Sequence, residues 1–569
     1  MAGQPPPPYP FSQDPDRTVA YRRPAPGGAE ATGPAAGHYA YGAPPQAGPP
    51  YGGQPGGTAR MPAAMPAPGW DRVELGPPVP PAGRGRHGRS GRSRGWLVAI
   101  IAAVVVALVG GGGVYAMSLL SGGGTQPEDV LPAGTMAYVR LDLDPSAGQK
   151  LALFQLARKF SATRGAFTGE DPRKALFELL RQGDSGLAKV DYARDVAPWL
   201  GDRIGVGVLA PKSPDTTPRP VVAVQVTDQD QARAGLRKLD RERDLKGLAF
   251  REDYAILAET QQEADAYAAG APLSGEAAFA EDRAALGEPG VLSFWGDAGA
   301  IAKAARAAGA TAEDGTVAMV ENMRFAGALR FDSGYAELTG FTRGGQVRAA
   351  AGGEGARLSR LPASTVGALS VSSLGELVTE QWPRITEAAD AAGGSPSFSD
   401  IVAQARQSYG ISLPEDLTTL LGRNLTVAVD EAGLDGQIPN VGAVLATDPA
   451  KAQQVLDKIE KAVAGSGTGT PQVFRVPGDG RLVVASSQEY ADRLAADGTL
   501  GESETFTTAI PDADTATAAF YLDLDKLEKY YLSGLGEEGQ ANARPLRAVG
   551  ASARRTGDLT SFSLRVLFN

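Results

Sequence analysis

The stretch "VDYARDVAPWLGDRIGVGVLA" (190–210) is written a second time, in diverged form, as "SLPEDLTTLLGRNLTVAVDE" (412–431). A constant shift of 221 positions aligns the two stretches. Identical pairs include Asp195 with Asp416, Leu200 with Leu421, Gly201 with Gly422, Val206 with Val427, and Val208 with Val429. Self-similarity at a fixed spacing indicates that a structural unit has been duplicated.

Four further pairs of stretches extend the repeat over most of the chain. They are "VVAVQVTDQDQARAGLRKL" (221–239) with "VGAVLATDPAKAQQVLDKI" (441–459), "REDYAILAETQQEADAYAAG" (251–270) with "GDGRLVVASSQEYADRLAADG" (478–498), "GVLSFWGDAGAIAKAA" (290–305) with "TAAFYLDLDKLEKYY" (517–531), and "VLPAGTMAYVRLDLDP" (130–145) with "RLPASTVGALSVSSLGEL" (360–377). We therefore predict two tandem related domains, 130–343 and 358–569, separated by a linker at 344–357.

Each copy mixes strand and helix patterns. Three stretches have the alternation of apolar and polar residues, or the short β-branched runs, that are typical of strands: "RIGVGVL" (203–209), "PVVAVQV" (220–226) and "YAILAE" (254–259). "QQEADAYAAG" (261–270) and "GAIAKAARAAG" (299–309) have helical spacing. Strand patterns that follow one another directly favour an α+β fold with mainly antiparallel sheets in the two domains.

Two aspartate pairs raise the question of chemistry. "YVRLDLDP" (138–145) and "FYLDLDK" (520–526) each place two aspartates at positions i and i+2. In the first stretch, alternation puts Val139, Leu141 and Leu143 on one face of a strand. The other face then carries Tyr138, Arg140, Asp142 and Asp144. A pair of carboxylates on one face could hold a divalent cation or act as acid and base.

The competing interpretation is that aspartates at these junctions begin helices. The predicted N-caps are Asp144 followed by Pro145, Asp525 with Glu528 at the third helical position, Asp297, and Ser373 with Glu376 at the third helical position. The related copy has "SVSS" (370–373) where the first pair stands, and a site that needs two carboxylates would not tolerate that exchange. We therefore favour the structural interpretation over the metal or acid–base one.

Composition excludes several catalytic classes. Cysteine is absent, and the two histidines, His38 and His87, both precede residue 95. The rest of the chain therefore holds no Ser-His-Asp triad, Cys-His pair or His-ligated zinc. It also has no P-loop and no G-x-S-x-G motif. Trp199 and Trp295 could line a sugar cleft, but core packing is favoured. We assign no catalytic, cofactor-binding or metal-binding residue and predict no cofactor.

One segment has the properties of a membrane span. "WLVAIIAAVVVALVGGGGVYAMSLL" (96–120) would extend about 37 Å as a helix, enough for a hydrocarbon core of about 30 Å. Five arginines precede it: Arg84, Arg86, Arg89, Arg92 and Arg94. The positive-inside rule then places 1–95 in the cytoplasm and the chain from the linker 121–129 onward outside the cell membrane. A cleaved signal peptide is the alternative, but a leader of 95 residues is too long for it.

The tail 1–95 is rich in proline and glycine and is predicted to be disordered. It could dock a cytoplasmic partner or be phosphorylated by a kinase, with Thr18 beside Arg17 as the favoured position, or it could be an inert spacer. The tail carries a formal charge of +5 and the remainder −15, and an acidic body argues against nucleic acid as a partner.

At "DVAPWLGDRIGVGVLA" (195–210), with "LPAGTMAYVRLDLDP" (131–145) upstream and "VVAVQVTDQDQA" (221–232) downstream, the chain resembles a membrane-anchored family of high-G+C Gram-positive bacteria. That family is catalogued only as a domain of unknown function. The resemblance implies a Pro-rich tail, one transmembrane helix and an extracytoplasmic α+β region, and it implies no site residue.

These observations lead to a functional hypothesis with one alternative. We expect a single-pass envelope protein whose α+β body is a non-enzymatic binding or scaffold module for an envelope protein or cell-wall polymer. The alternative is a carboxylate-dependent hydrolase of envelope glycans. A hydrolase requires two acidic side chains across a cleft, one with a raised pKa, whereas a binding module requires a broad apolar or aromatic patch.

Overall fold

The structure is a computed structural model. It describes residues 124–161, 173–174, 177, 181, 190–213, 217–239, 246–307, 320–345, 355–393, 396–436, 439–465 and 472–569. The predicted tail 1–95 and the predicted span 96–120 lie outside these residues. No helix within the described ranges is both long enough and apolar enough to cross a membrane.

Sixteen strands of the described chain form one antiparallel sheet. The strands of the first half are β1 Thr135–Asp142, β2 Leu200–Leu209, β3 Arg219–Val226, β4 Gly247–Arg251, β5 Tyr254–Ala258, β6 Leu292–Asp297, β7 Arg324–Phe331 and β8 Tyr335–Arg343. Those of the second half are β9 Thr365–Ser372, β10 Asn424–Asp430, β11 Val441–Ala446, β12 Phe474–Gly478, β13 Arg481–Ala485, β14 Ala518–Asp523, β15 Leu546–Thr556 and β16 Leu559–Phe568. The predicted α+β class with antiparallel pairing is confirmed.

The two halves have the same strand order. The first runs β8-β7-β6-β1-β2-β3-β5-β4 and the second runs β16-β15-β14-β9-β10-β11-β13-β12. The last strands of the halves, β8 and β16, pair with each other from Tyr335–Leu567 to Arg343–Leu559. The antiparallel sheets predicted for the two domains are therefore joined into one continuous sheet. Each half leaves a long edge strand, and the two edges satisfy each other's backbone groups.

The helices lie on both faces of this sheet. They are α1 Pro127–Val130, α2 Ala147–Lys159, α3 Gln229–Leu239, α4 Gln261–Ala269, α5 Ala277–Leu286, α6 Ala298–Ala307, α7 Leu374–Ala391, α8 Phe398–Tyr409, α9 Glu415–Leu421, α10 Pro449–Gly465, α11 Gln488–Ala495, α12 Glu504–Ala509, α13 Leu524–Leu532 and α14 Glu537–Ala543. The helical patterns at 261–270 and 299–309 correspond to α4 and α6, so these predictions are confirmed.

One face of the sheet, here called the core face, carries a matched aromatic pair in each half. Phe279 of α5 meets Trp295 edge to face with ring centres 5.3 Å apart. Phe506 of α12 meets Tyr521 in the same way at 5.1 Å. Trp295 lies on β6 and Tyr521 on the corresponding strand β14. The opposite face is here called the open face.

An ion pair between a buried aspartate and a lysine also recurs in the two halves. Asp195 accepts from the Lys238 ammonium at 3.1 Å, and Asp416 accepts from that of Lys458 at 2.9 Å. Both aspartates are buried. These pairs join the two most similar stretches of the sequence repeat, and together with the shared strand order they support the duplication hypothesis.

Substitution at a central glycine of β8 tests the continuity of the sheet. A Cβ at Gly340 would collide with the Ala326 carbonyl oxygen and lie 2.8 Å from the Phe562 ring of β16. We expect Gly340→Ala to lower the free energy of unfolding by about 1–3 kcal/mol, because the close-packed strands must move apart. Urea denaturation measures the change.

Gly334 in the β7–β8 turn is a matched control, since a Cβ there meets nothing within 4 Å. Gly334→Ala should leave the free energy of unfolding within about 0.5 kcal/mol of the starting value. Equal losses in the two variants would contradict the close packing of Gly340 against β7 and β16.

Candidate binding surface

The first aspartate pair is divided between different cations. Asp142 is 4% exposed and forms ion pairs with Arg140 and Arg203. It also accepts the backbone N–H of Asp144 at 3.0 Å. The Asp144 carboxylate pairs instead with Lys150 in α2. The two carboxylates therefore share no ligand position. Arg140, Asp142 and Arg203 are called the charged cluster below.

The second half has a neutral network in the same place. Cross-strand pairing sets Asp142 opposite Arg203 in the first half and Ser372 opposite Asn424 in the second. The Asn424 amide donates to Ser370 at 3.1 Å and to Ser372 at 3.0 Å. The buried polar positions are thus occupied by ion-paired side chains in the first half and by a hydrogen-bonded amide and hydroxyls in the second. The carboxylate of Asp142 therefore serves the fold.

Only part of the predicted helix capping is confirmed. Asp297 accepts the N–H of Ala300 at 2.8 Å, as expected for an N-cap. The prediction for Asp525 is wrong, because α13 begins at Leu524 and Asp523 accepts the N–H of Lys526 at 3.1 Å. Asp525 instead accepts from the Asn569 amide at 2.8 Å.

The other two predicted caps are wrong as well. Helix α2 begins at Ala147, with Ser146 before it, and Asp144 lies too early to reach its first N–H groups. Ser373 does precede α7, but its backbone is left-handed with φ 57° and its hydroxyl makes no capping bond. An N-cap side chain reaches the helix from the extended region, which Ser373 does not occupy.

The described part of the chain offers little for a metal or a sugar. Within it, no group of three or more acidic or histidine side chains is arranged to hold a metal ion. Trp199 and Trp295 are 4% and 5% exposed, and their indole N–H groups donate to the Asp195 carbonyl and the Asp282 carboxylate. Both tryptophans are therefore core residues.

One carboxylate has the electrostatics that the hydrolase alternative requires. Burial raises the pKa of Asp202, Arg173 lowers it, and Asp144 and Asp142 raise it further. Arg173 lies 3.8 Å away, and the Asp202 side chain remains 46% exposed. Its neighbour Asp142 is held by two arginines, so it is poorly placed to act as a second free carboxylate.

Asp202→Asn tests whether folding raises the pKa of Asp202. A pKa raised by folding means that the ionised group costs stability at neutral pH, and the cost disappears once both states are protonated. We expect the variant to melt at a higher temperature than the parent at pH 7 and at the same temperature below about pH 3. Melting curves at the two pH values measure this difference, and a lower melting temperature at pH 7 would contradict it.

The open face carries a feature that the sequence analysis missed. Leu369 on β9, Phe520 on β14 and Leu564 on β16 are 47%, 37% and 38% exposed. Phe520 pairs across strands with Leu369 on one side and Ala551 on the other, and Ala551 pairs with Leu564. The three exposed side chains therefore stand in one row across the sheet.

The residues around this row on the same face are apolar too. We call the patch the apolar floor: Leu369, Val371, Ala518, Phe520, Leu522, Val549, Ala551, Ala553, Phe562, Leu564, Val566, Ala336 and Leu338. All are exposed or half-buried. The floor spans β9, β14, β15, β16 and β8, and so includes the junction between the halves.

Phenylalanine rings lying over glycines make this face flat. A Cβ at Gly327 would collide with the Phe294 ring, which faces it across β6 and β7. Phe562 lies over Gly340 in the same way at the edge of the floor. The rings are therefore packed against the backbone of the neighbouring strand.

Helices cover the open face on both sides of the floor. In the first half, α3 packs on the outer strands through Ala232, and α2 contacts β7 and leads to Phe160, whose ring meets that of Phe568 at 5.7 Å. In the second half, α9 and α10 contact β11, β12 and β13, and α7 packs on α9. The apolar floor thus lies between two groups of helices, and α13 contacts β15 and β9, two of the floor strands.

Comparison of the sequence with known proteins identifies one matching family model, whose function is not known. Residues 99–288 match a family model described as a protein of unknown function (DUF3352). The match covers about a third of the chain. A domain of unknown function is therefore shown for 99–288, while the membrane anchor, the bacterial group and the Pro-rich tail remain predictions. No curated protein and no solved structure matches the chain.

Proposed function

We propose that this protein is a single-pass, non-enzymatic binding module of the cell envelope, and that the apolar floor holds an amphipathic helix of a protein partner outside the membrane. The observation that carries the proposal is the exposed row of Leu369, Phe520 and Leu564. Strand spacing makes the floor about 20 Å wide and roughly 17 Å long, on the order of 350 Å². The largest apolar patch of a typical monomer is about this size and is often functional.

The chemistry of the floor favours protein over cell-wall polymer. The side chains are hydrocarbon, and the backbone N–H and C=O groups beneath them are used in strand pairing. Sugar hydroxyls placed here would lose their bonds to water and find no replacement, which costs free energy for each buried group. An apolar protein face loses no such bonds.

The shape of the site favours a helix as the occupant. The floor lies between helices that already pack on the same face, and a helix with its side chains is about 10 Å across. Leu151 on α2 and Ile385 on α7 add exposed apolar surface on the neighbouring helices, at 58% and 41% exposure. One partner helix would therefore cover about half the width of the floor and extend the helix layer across the open face.

The membrane attachment is part of the proposal. The predicted span ends at Leu120, and the described chain begins four residues later at Gly124. Thr125 is already fixed to the body, since its hydroxyl donates to Glu252 at 2.6 Å and its carbonyl accepts from Tyr254 at 3.0 Å. So short a connection would hold the body at the membrane surface, next to other envelope proteins.

Protease treatment of spheroplasts tests the orientation. We expect external protease to cut exposed loops beyond residue 124 and to spare an epitope tag placed in the cytoplasmic tail, because the arginines before residue 95 retain the tail inside. Immunoblots against tags at both termini report the result. Loss of the N-terminal tag with an intact body would reverse the topology.

Site-specific photo-crosslinking in cells tests the binding surface. A photoreactive phenylalanine analogue at position 520 should give a discrete adduct with one envelope protein. The control is the same analogue at Tyr409, which is 47% exposed on α8 and outside the floor. Adducts of equal yield at the two positions, or none at position 520, would count against the proposal.

The hydrolase remains a second candidate because of the raised pKa of Asp202. The hydrolase hypothesis predicts that the parent protein releases soluble fragments from purified cell wall and that Asp202→Asn abolishes this release. The binding proposal predicts no release of fragments by the parent protein or by the variant. The assay needs only the full-length protein and wall material.

A further inference from the structure

A cavity of about 60 Å³ lies in the second half, on the opposite face of β10 from the apolar floor. Asn424 and Thr426 of β10 line it, and both are 2% exposed. By alternation, Leu425 and Val427 of the same strand point to the open face. The cavity has room for about four water molecules.

Four arginines surround this cavity: Arg357, Arg360, Arg423 and Arg481. Two acidic residues, Asp479 and Asp497, also line it, so the wall carries an excess of two positive charges. Arg481 donates to the Ala495 carbonyl at 2.7 Å, which fixes one edge of its guanidinium without neutralising the charge. Four arginines around one small cavity make this part of the second half basic in an otherwise acidic protein.

The first half provides an internal comparison. Arg357, Arg360, Arg423 and Arg481 correspond by the strand pairing and the sequence repeat to Pro127, Val130, Asp202 and Tyr254. None of these counterparts is a cation. All four arginines are therefore particular to the second half.

The corresponding place in the first half is also filled. Pro127 of α1 packs so closely on β2 that a Cβ at Gly205 would collide with it. The Tyr254 hydroxyl reaches the Thr125 carbonyl at 3.0 Å. In the second half Thr426 stands at the position of Gly205, and the space above it is open. The cavity position is therefore filled in the first half, whereas in the second half it is open and lined by arginines.

We propose that this cavity, here called the arginine pocket, binds a tetrahedral oxyanion, namely a phosphate group either free or in an ester. Arginine forks match phosphate oxygens with paired hydrogen bonds, and the cavity volume suits a group with four oxygens. Asn424 and Thr426 form a polar base, and Leu361, Val444, Ala446, Leu494 and Ala496 line the rest of the cavity together with the charged side chains. The proposal is independent of the apolar floor.

Calorimetric titration of the full-length protein in phosphatidylcholine nanodiscs tests the proposal with two probes. Inorganic phosphate tests the free anion, and dihexanoyl phosphatidylglycerol tests a phosphodiester headgroup. We expect saturable binding of at least one probe at one site per chain. The double variant R360Q/R423Q should weaken that binding at least tenfold, and both side chains are exposed, so folding should be preserved.

The matched control is R384Q, which removes an exposed arginine on α7, away from the pocket. It should leave the affinity unchanged. Binding of inorganic phosphate alone would identify a free anion site, and binding of the phosphodiester alone a headgroup site. Absence of saturable binding with both probes, or equal weakening in R384Q and R360Q/R423Q, would overturn the proposal.

Discussion

Asp142→Leu is expected to lower the free energy of unfolding by about 3–5 kcal/mol, because it removes the counter-charge from two buried arginines. Arg140 is 3% exposed and Arg203 is 4% exposed, so neither can recover its charge solvation from water. Urea denaturation at neutral pH, followed by circular dichroism, measures the loss. This is the largest effect on stability that we expect from a single polar side chain of the body.

A triple variant shows whether the loss comes from unpaired charge. In Arg140→Met/Asp142→Leu/Arg203→Met the whole charged cluster is replaced by apolar residues of similar length. Replacing a buried ion cluster in this way is often neutral or even stabilising. The triple variant should therefore be more stable than Asp142→Leu by at least about 2 kcal/mol. A triple variant as unstable as the single one would mean that the cluster contributes more than charge balance.

The sequence predicted those features of the fold that depend on residues close to one another along the chain. Alternation in "YVRLDLDP" (138–145) predicted that Tyr138, Arg140 and Asp142 share one face of a strand, and they do. The class of the fold followed from such periodicities and from consecutive strand patterns. The second copy has "SVSS" (370–373) where the first aspartate pair stands, which favoured a structural role at a helix start; the structure instead places Asp142 in ion pairs with Arg140 and Arg203.

Helix starts were less predictable, because an aspartate pair at i and i+2 offers two possible caps. In "FYLDLDK" (520–526) the spacing is compatible with a helix beginning after either aspartate. The structure uses Asp523, and Tyr521 adds a hydrogen bond from its hydroxyl to the same carboxylate at 3.1 Å. Tertiary contacts of this kind are absent from local patterns.

The continuous sheet and the apolar floor depend on contacts between distant parts of the chain. Pairing of β8 with β16 joins residues more than 200 positions apart. "LTSFSLRVLF" (559–568) shows that β16 has apolar side chains, but no local pattern states which of them a helix covers. A patch becomes recognisable as an interaction surface only when the neighbouring helices are placed and Leu564 is left exposed.

Phe520→Glu is expected to weaken partner binding by a factor of about 100, because a central aromatic side chain of an interface contributes about 2–4 kcal/mol. The new carboxylate would also have to be desolvated against Leu369 and Ala551, its cross-strand neighbours. In the free protein the side chain is 37% exposed, so the free energy of unfolding should change by only about 1 kcal/mol. Loss of binding with retained stability separates an interface residue from a core residue.

Quantitative co-purification from cells tests the central claim most directly, with the parent protein, Phe520→Glu and the control Tyr409→Glu expressed at equal levels. The partner found by crosslinking at position 520 should be recovered with the parent and with Tyr409→Glu, and should be nearly absent with Phe520→Glu. Undiminished recovery with a folded Phe520→Glu variant would contradict the assignment of the apolar floor as the binding surface.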